Sequence, residues 1–113
     1  MAKVERRYFR IVYPDVERPT FAVEGQSFPL VDLSECGMRI SDPGKAAPIE
    51  NAEVLGVIRF SNQETLKVRG RVVRKTEGYA AFELTRGVPY GTIMAEQRRL
   101  IRKYKHLILP EDS

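Results

Sequence analysis

Cysteine and histidine are almost missing from this chain: Cys36 and His106 are the only ones of their kind in 113 residues, and tryptophan does not occur at all. One cysteine makes no internal disulfide, and one cysteine with one histidine falls short of any usual zinc ligand set, so no metal or other cofactor is expected. Long apolar runs are missing too. The longest clean one, Val54 to Ile58, contains Gly56 and is far shorter than the roughly 18 residues of a spanning helix, so no membrane segment is expected. The start, Met1 to Arg10, is basic with no apolar stretch behind it, so no secretory signal is expected and cytoplasm is the expected compartment. Nucleophile elbows, dinucleotide-binding glycine patterns, P-loops and zinc-protease motifs are all lacking, so the chain is not expected to be an enzyme. A Cys36–His106 dyad is formally possible, but a lone cysteine between strands is ordinarily a small hydrophobe, and a histidine near a helix C-terminus a dipole partner or a surface residue.

What is present describes a folded domain. Apolar residues make up 42% and charged residues 30% of the chain, ordinary values for one compact unit, expected to span 1–113. The net charge of +4 is modest, and its placement says more than its size. Lys3, Arg6, Arg7 and Arg10 face Glu5 alone at one end. Arg98, Arg99, Arg102, Lys103 and Lys105 face Glu96 at the other, and the body between is close to neutral. Arginines outnumber lysines 13 to 6. Solubility does not ask for that ratio, whereas planar, bidentate recognition of phosphates and base edges does, so an anionic ligand is expected.

Short β-type runs separated by turn residues fill residues 8–90. They are Tyr8 to Val12, Thr20 to Val23, Ser27 to Leu33, Met38 to Ser41, Val54 to Phe60, Leu66 to about Arg74, and Tyr79 to Leu84. Pro29 cannot donate to a ladder, so its strand is expected at an edge or with a bulge there. The stretch from Asp42 to Asn51, with Pro43, Gly44 and Pro48, reads as the longest loop. After Pro89 and Gly91 the period changes. Ile93, Leu100, Ile101, Tyr104 and Leu107 fall near one face of a helix over 92–107, with the basic side chains opposite. The expected fold is all-β: about six antiparallel strands in a barrel or barrel-like sandwich, capped by one C-terminal helix, because closure hides the strand edges of a small domain.

Two segments carry possible ligand chemistry. Arg6-Arg7-Tyr8-Phe9-Arg10 spaces Arg6 and Arg10 with three residues between them, and taken alone it reads as a solvated arm. Asp32-Leu33-Ser34-Glu35-Cys36-Gly37 lies between two strands, and taken alone it is turn chemistry, with short polar side chains bonding local backbone and glycine reaching positive φ. Together and in this order, about twenty residues apart, they resemble the paired signatures of the PilZ domain family, Arg-x-x-x-Arg and Asp/Asn-x-Ser-x-x-Gly. The later strand pair around Gly78 and a C-terminal helix are similar to that family as well.

The resemblance implies a six-stranded barrel that binds the bacterial second messenger cyclic di-GMP, with Arg6, Arg10, Asp32, Ser34 and Gly37 as the motif residues. Their chemistry suits that ligand. A guanidinium pairs with phosphate oxygens or with guanine O6 and N7. Asp32 accepts from a guanine edge or orients an arginine, Ser34 donates, and Gly37 allows close backbone approach. Many members carry tryptophan in the strand that here reads Val72-Val73-Arg74. Arg74 either takes its place by stacking on a guanine or is a solvated strand residue. Where members that take an intercalated ligand dimer often have a basic residue, this chain has Glu5, and Arg7 could stand in.

The expected function is therefore a bacterial cytoplasmic receptor module that passes ligand binding to a protein partner. Arg98, Arg99, Arg102 and Lys103 are either a solvated helix face or the docking surface for an acidic partner. The alternatives are a small basic barrel binding single-stranded nucleic acid, and a barrel without ligand acting as a protein adaptor. An oligonucleotide groove calls for basic and aromatic residues across a barrel face, whereas here they gather at the chain ends.

Overall fold

A computed structural model of the chain describes residues 10–42 and 48–108, with side chains as far as Tyr104. The strands are β1 (Ile11–Val12), β2 (Thr20–Val23), β3 (Gln26–Leu33), β4 (Gly37–Asp42), β5 (Glu53–Arg59), β6 (Thr65–Thr76) and β7 (Gly78–Arg86), followed by helix α1 (Tyr90–Ile108). One turn of 3-10 helix, Asp15–Glu17, separates β1 from β2. The strand order is β1-β3-β2-β5-β6-β7-β4, and a further pairing of β3 with β4 closes the last six strands into an antiparallel barrel. The extra strand β1 lies against β3, pairing Ile11 with Leu33 and Val12 with Asp32. Tyr8 and Phe9 of the expected first strand, and part of the expected long loop, lie outside the described residues.

Alternation decides which side chains face inward. On β6, Val68 and Val72 are buried while Lys67, Arg69 and Arg71 stand outside, and on β7 Ala80, Phe82 and Leu84 point in. Phe21 and Phe82 meet edge-to-face at 5.5 Å between centroids in the middle of the core. Gly56 makes room for this pair, since a Cβ there would lie 2.5 Å from the Phe21 ring.

Pro29 is not on an edge. It sits opposite Thr20 within the ring, and the neighbouring Leu30 N–H donates to the Pro19 carbonyl at 2.9 Å. Pro29 therefore occupies a non-hydrogen-bonded position toward β2, where its missing N–H takes nothing from the ladder. On the other side, the described β4 register begins only at Leu30 opposite Ile40. The bulge falls two residues on, at Val31, between the Leu30 and Asp32 pairs.

The helix packs on the barrel through Ile93 and Leu100, with Met94 and Tyr104 partly buried. Two parts of the expected helix face are corrected. Ile101 is 43% exposed, because it points about 100° around the helix from Leu100. Arg99 is largely covered, and Lys103, although 58% exposed, is not an unpaired surface charge. They turn to the 3-10 turn, where buried Glu17 accepts from Arg99 Nη1 at 2.8 Å, Lys103 Nζ at 2.7 Å and the Tyr104 hydroxyl at 2.7 Å. Buried Glu96 accepts from the Tyr13 hydroxyl at 2.7 Å and Arg99 Nε at 3.1 Å. Burial first, and then the bond to Glu96, pushes the Tyr13 hydroxyl far up. Burial works against the Arg99 charge, yet its bonds to Glu96 and Glu17 carry its pKa upward.

These contacts tie the helix to the barrel in a pH-dependent way. Hydrogen bonds from Lys103, then Tyr104 and Arg99, hold Glu17 down to about 2 from its ordinary 4.5. The folded protein binds fewer protons at this site than the unfolded chain, so the contribution is complete above the ordinary value and is lost as pH falls toward 2. The stability gap between wild type and Glu17→Gln, measured by urea unfolding, is expected to shrink across that window. A gap that stays constant there would refute the assignment.

Candidate functional site

Asp32 is the centre of the site. Its side chain is 1% exposed, yet both oxygens are engaged: Oδ1 by Arg10 Nη1 at 2.9 Å and Oδ2 by Arg39 Nε at 2.8 Å. The fold sets this up. Asp32 pairs with Val12 on the β1 side and with Arg39 on the β4 side, just past the Val31 bulge. A bulge re-aims the strand where it occurs, and here it brings the carboxylate opposite Arg39. The guanidinium of Arg39 also lies over the Tyr79 ring, 5.1 Å from its centroid, the geometry of a cation–π contact.

Beside this triad lies a cleft of about 410 Å³ lined by, among others, Arg10, Asp32, Gly37, Arg39, Val73 and Arg74. A second bulge, between the Val72–Phe82 and Arg74–Ala81 pairs, places Val73 and Arg74 on the cleft together, where strict alternation would send them to opposite faces. Three arginines and one buried carboxylate thus line the cleft and give it excess positive charge. A larger depression of about 510 Å³, lined among the described residues by Ile49, Glu50, Lys75, Thr76 and Glu77, carries there two carboxylates against one ammonium, a balance less suited to an anion.

The sequence-predicted residues divide into three groups. Arg10, Asp32, Gly37 and Arg74 come together at the cleft. Arg6 and Arg7 lie outside the described residues. Ser34 is brought near but does not line the cleft. It is buried, and its hydroxyl and its backbone N–H both donate to the Gly37 carbonyl, at 3.3 and 2.8 Å. In this structure the hydroxyl closes the turn. Gly37 does not adopt the positive φ of the turn reading, and a Cβ there would make ordinary contacts with Phe82 O at 3.4 Å and Ser34 Oγ at 3.6 Å. Nothing in the fold itself therefore demands glycine at 37.

Sequence reasoning missed Arg39 and Gly87. Arg39 alternates outward on its strand like any solvated arginine, and only the β3–β4 register reveals its partner. At Gly87 a Cβ would run into the carbonyl oxygen of Glu35. The Ser34–Gly37 turn lies directly on the β7–α1 connection there, with Leu84 N–H donating to Cys36 O at 2.8 Å and Val88 N–H to Glu35 O at 2.9 Å. A glycine just before Val88 and Pro89 was the available signal. Cys36 is half-buried in this turn, and the side chain of His106 lies outside the described residues, so the dyad is not placed.

The fold is a small closed barrel with an arginine-lined exterior cleft. The sequence profile of the PilZ domain matches residues 5–105. The chain belongs to the PilZ domain family. No curated protein matches it. Among solved structures it is similar to the Bacillus subtilis inhibitor of motility (MotI/DgrA), at 18% identity and a TM-score of 0.57, covering 96% of this chain and 56% of that one. The chain thus spans little more than half the length of that protein, and the likeness concerns the fold.

Proposed function

We propose that the chain is a cyclic di-GMP receptor module that acts on a protein partner in the bacterial cytoplasm. Membership in a family of cyclic di-GMP receptors supports the ligand class. The observation that carries the reading is Asp32, a buried carboxylate holding the guanidinia of Arg10 and Arg39 at the rim of a cleft that Arg74 also lines. Cyclic di-GMP offers two phosphates and two guanines, and fixed guanidinium forks suit both. Arg10 is the second arginine of Arg-x-x-x-Arg, with Arg6 and Arg7 supplied by the chain just ahead of it. The open backbone at Gly37 lets a ligand approach closely. For the partner, Arg98 and Arg102 are exposed on the helix face, while Arg99 and Lys103 are engaged with Glu17.

Calorimetric titration with cyclic di-GMP, with GMP and an oligonucleotide as controls, tests the assignment. Saturable binding of cyclic di-GMP alone is expected. Arg10→Ala is expected to weaken it by about 1.5–3 kcal/mol, the range for hydrogen bonds to charged groups. Arg10→Lys is not expected to restore it, because lysine keeps the charge and loses the fork. Equal affinity of wild type and Arg10→Ala would sink the assignment.

A further inference from the structure

Arg39 is held in a way that a solvated strand arginine is not. Its Nε engages Asp32, and its Cζ lies over the Tyr79 ring. The register explains both contacts: Arg39 stands opposite Asp32 on one side and Ala81 on the other, while Ser41 stands opposite Tyr79. Arg39 and Tyr79 are therefore diagonal neighbours on one face of the sheet. One strand further on, Ala81 is paired with Arg74. Three adjacent strands thus set Arg39, Ala81 and Arg74 in a row along the cleft, with a methyl group as the floor between two guanidinium-bearing side chains.

With Nε bonded to the carboxylate and Cζ over the ring, this guanidinium is held at two points. The Nη1–Nη2 fork is then the edge whose geometry matches a bidentate acceptor. Two such acceptors exist on a guanine nucleotide: a pair of phosphate oxygens, and the O6/N7 edge of the base. The surroundings decide between them. Val12 and Val73 are 65% and 46% exposed, and both line the cleft with Ala81. Such apolar surface suits the flat face of a base and offers nothing to a hydrated phosphate.

We propose that Arg39 is a specificity-determining residue that reads the O6/N7 edge of a guanine seated over Ala81 and Val73. The inference rests on the reading of the chain as a cyclic di-GMP receptor and adds the residue that selects the base. An adenine in the same place would present its N6 amino donor to a guanidinium that can only donate, so one of the two bonds is lost and two donors face each other.

The test compares cyclic di-GMP with cyclic di-AMP on wild type and Arg39→Gln. Glutamine keeps an N–H donor for Asp32 but pairs bidentately with adenine N6/N7. Wild type is expected to prefer the guanine ligand. Arg39→Gln is expected to lose about 10- to 100-fold in cyclic di-GMP affinity and to bring the two affinities together or invert them. Tyr79→Ala, at a half-exposed position, frees the guanidinium without removing it and is expected to narrow the same ratio less. An equal loss for both ligands in Arg39→Gln would assign Arg39 to a phosphate or to positioning of Asp32, and would overturn the proposal. So would a ratio that moves in neither variant. If wild type binds no cyclic dinucleotide, the receptor reading itself fails. If wild type binds and only the ratio stays fixed, the receptor reading stands and the role of Arg39 falls.

Discussion

Replacing Arg10 and Arg39 together by alanine is expected to destabilise the barrel by about 3–5 kcal/mol, the cost of stranding a buried charge. Asp32 is 1% exposed, and each of its oxygens faces one of these two guanidinia. The reverse deletion is not equivalent. The side chains of Arg10 and Arg39 are 53% and 44% exposed, so without Asp32 both cations are hydrated where they stand, and the loss is small. Asp32→Ala alone is therefore expected to keep most of the stability, and adding it to the double variant is expected to recover most of what that variant lost. Urea unfolding of the four proteins measures this non-additivity directly. Asp32→Ala as unstable as the double arginine variant would mean that Asp32 is a packing element and not the holder of two charges.

Binding and folding separate in the same set of variants. Asp32→Ala keeps every arginine but frees each to move, so the receptor reading predicts a folded protein with weakened binding. The triple variant is expected to fold and to lack the arginine forks altogether. In the receptor reading Asp32 acts through the arginines it orients: it holds Arg39 by Nε and Arg10 by Nη1.

The strands were legible because a half-buried strand repeats every two residues, and the Val68-to-Val72 and Ala80-to-Leu84 alternations survive in the structure unchanged. The family was legible because the conjunction of Arg6 and Arg10 with Asp32, Ser34 and Gly37 is specific where each part is not. What failed depends on contacts between segments distant in sequence. Counting charge by segment made the helix look basic all along one face, but Glu17, more than 80 residues away in the chain, meets Arg99 and Lys103 there. Pro29 looked like an edge residue because the sequence shows the missing N–H and not the direction in which it points. Arg39 was invisible for a similar reason. An arginine on the outer face of a strand carries no sign of what stands beside it until the register is known, and the bulge at Val31 shifts that register by one.

Gly87→Ala is expected to cost about 1–3 kcal/mol of stability, as overpacking does, and to weaken ligand binding although Gly87 is not among the cleft-lining residues. Its added Cβ meets the carbonyl oxygen of Glu35 and would lie 3.6 Å from Cys36 Cα. Both obstacles are backbone, so no side-chain rotation relieves the clash and the turn itself must shift. That turn carries Ser34 and Gly37, lies just after Asp32, and is fastened to β7 by the Leu84 amide and to the connection by the Val88 amide. Moving it draws Gly37 away from the cleft wall and loosens the strand end that holds Asp32. The affinity is to be measured below the onset of unfolding, so that partial unfolding does not imitate weak binding, and amide shifts of Glu35, Cys36 and Gly37 report the displacement. Lost stability with unchanged affinity would show that the ligand does not depend on where this turn sits, and would leave the arginines and Asp32 as the whole of the site.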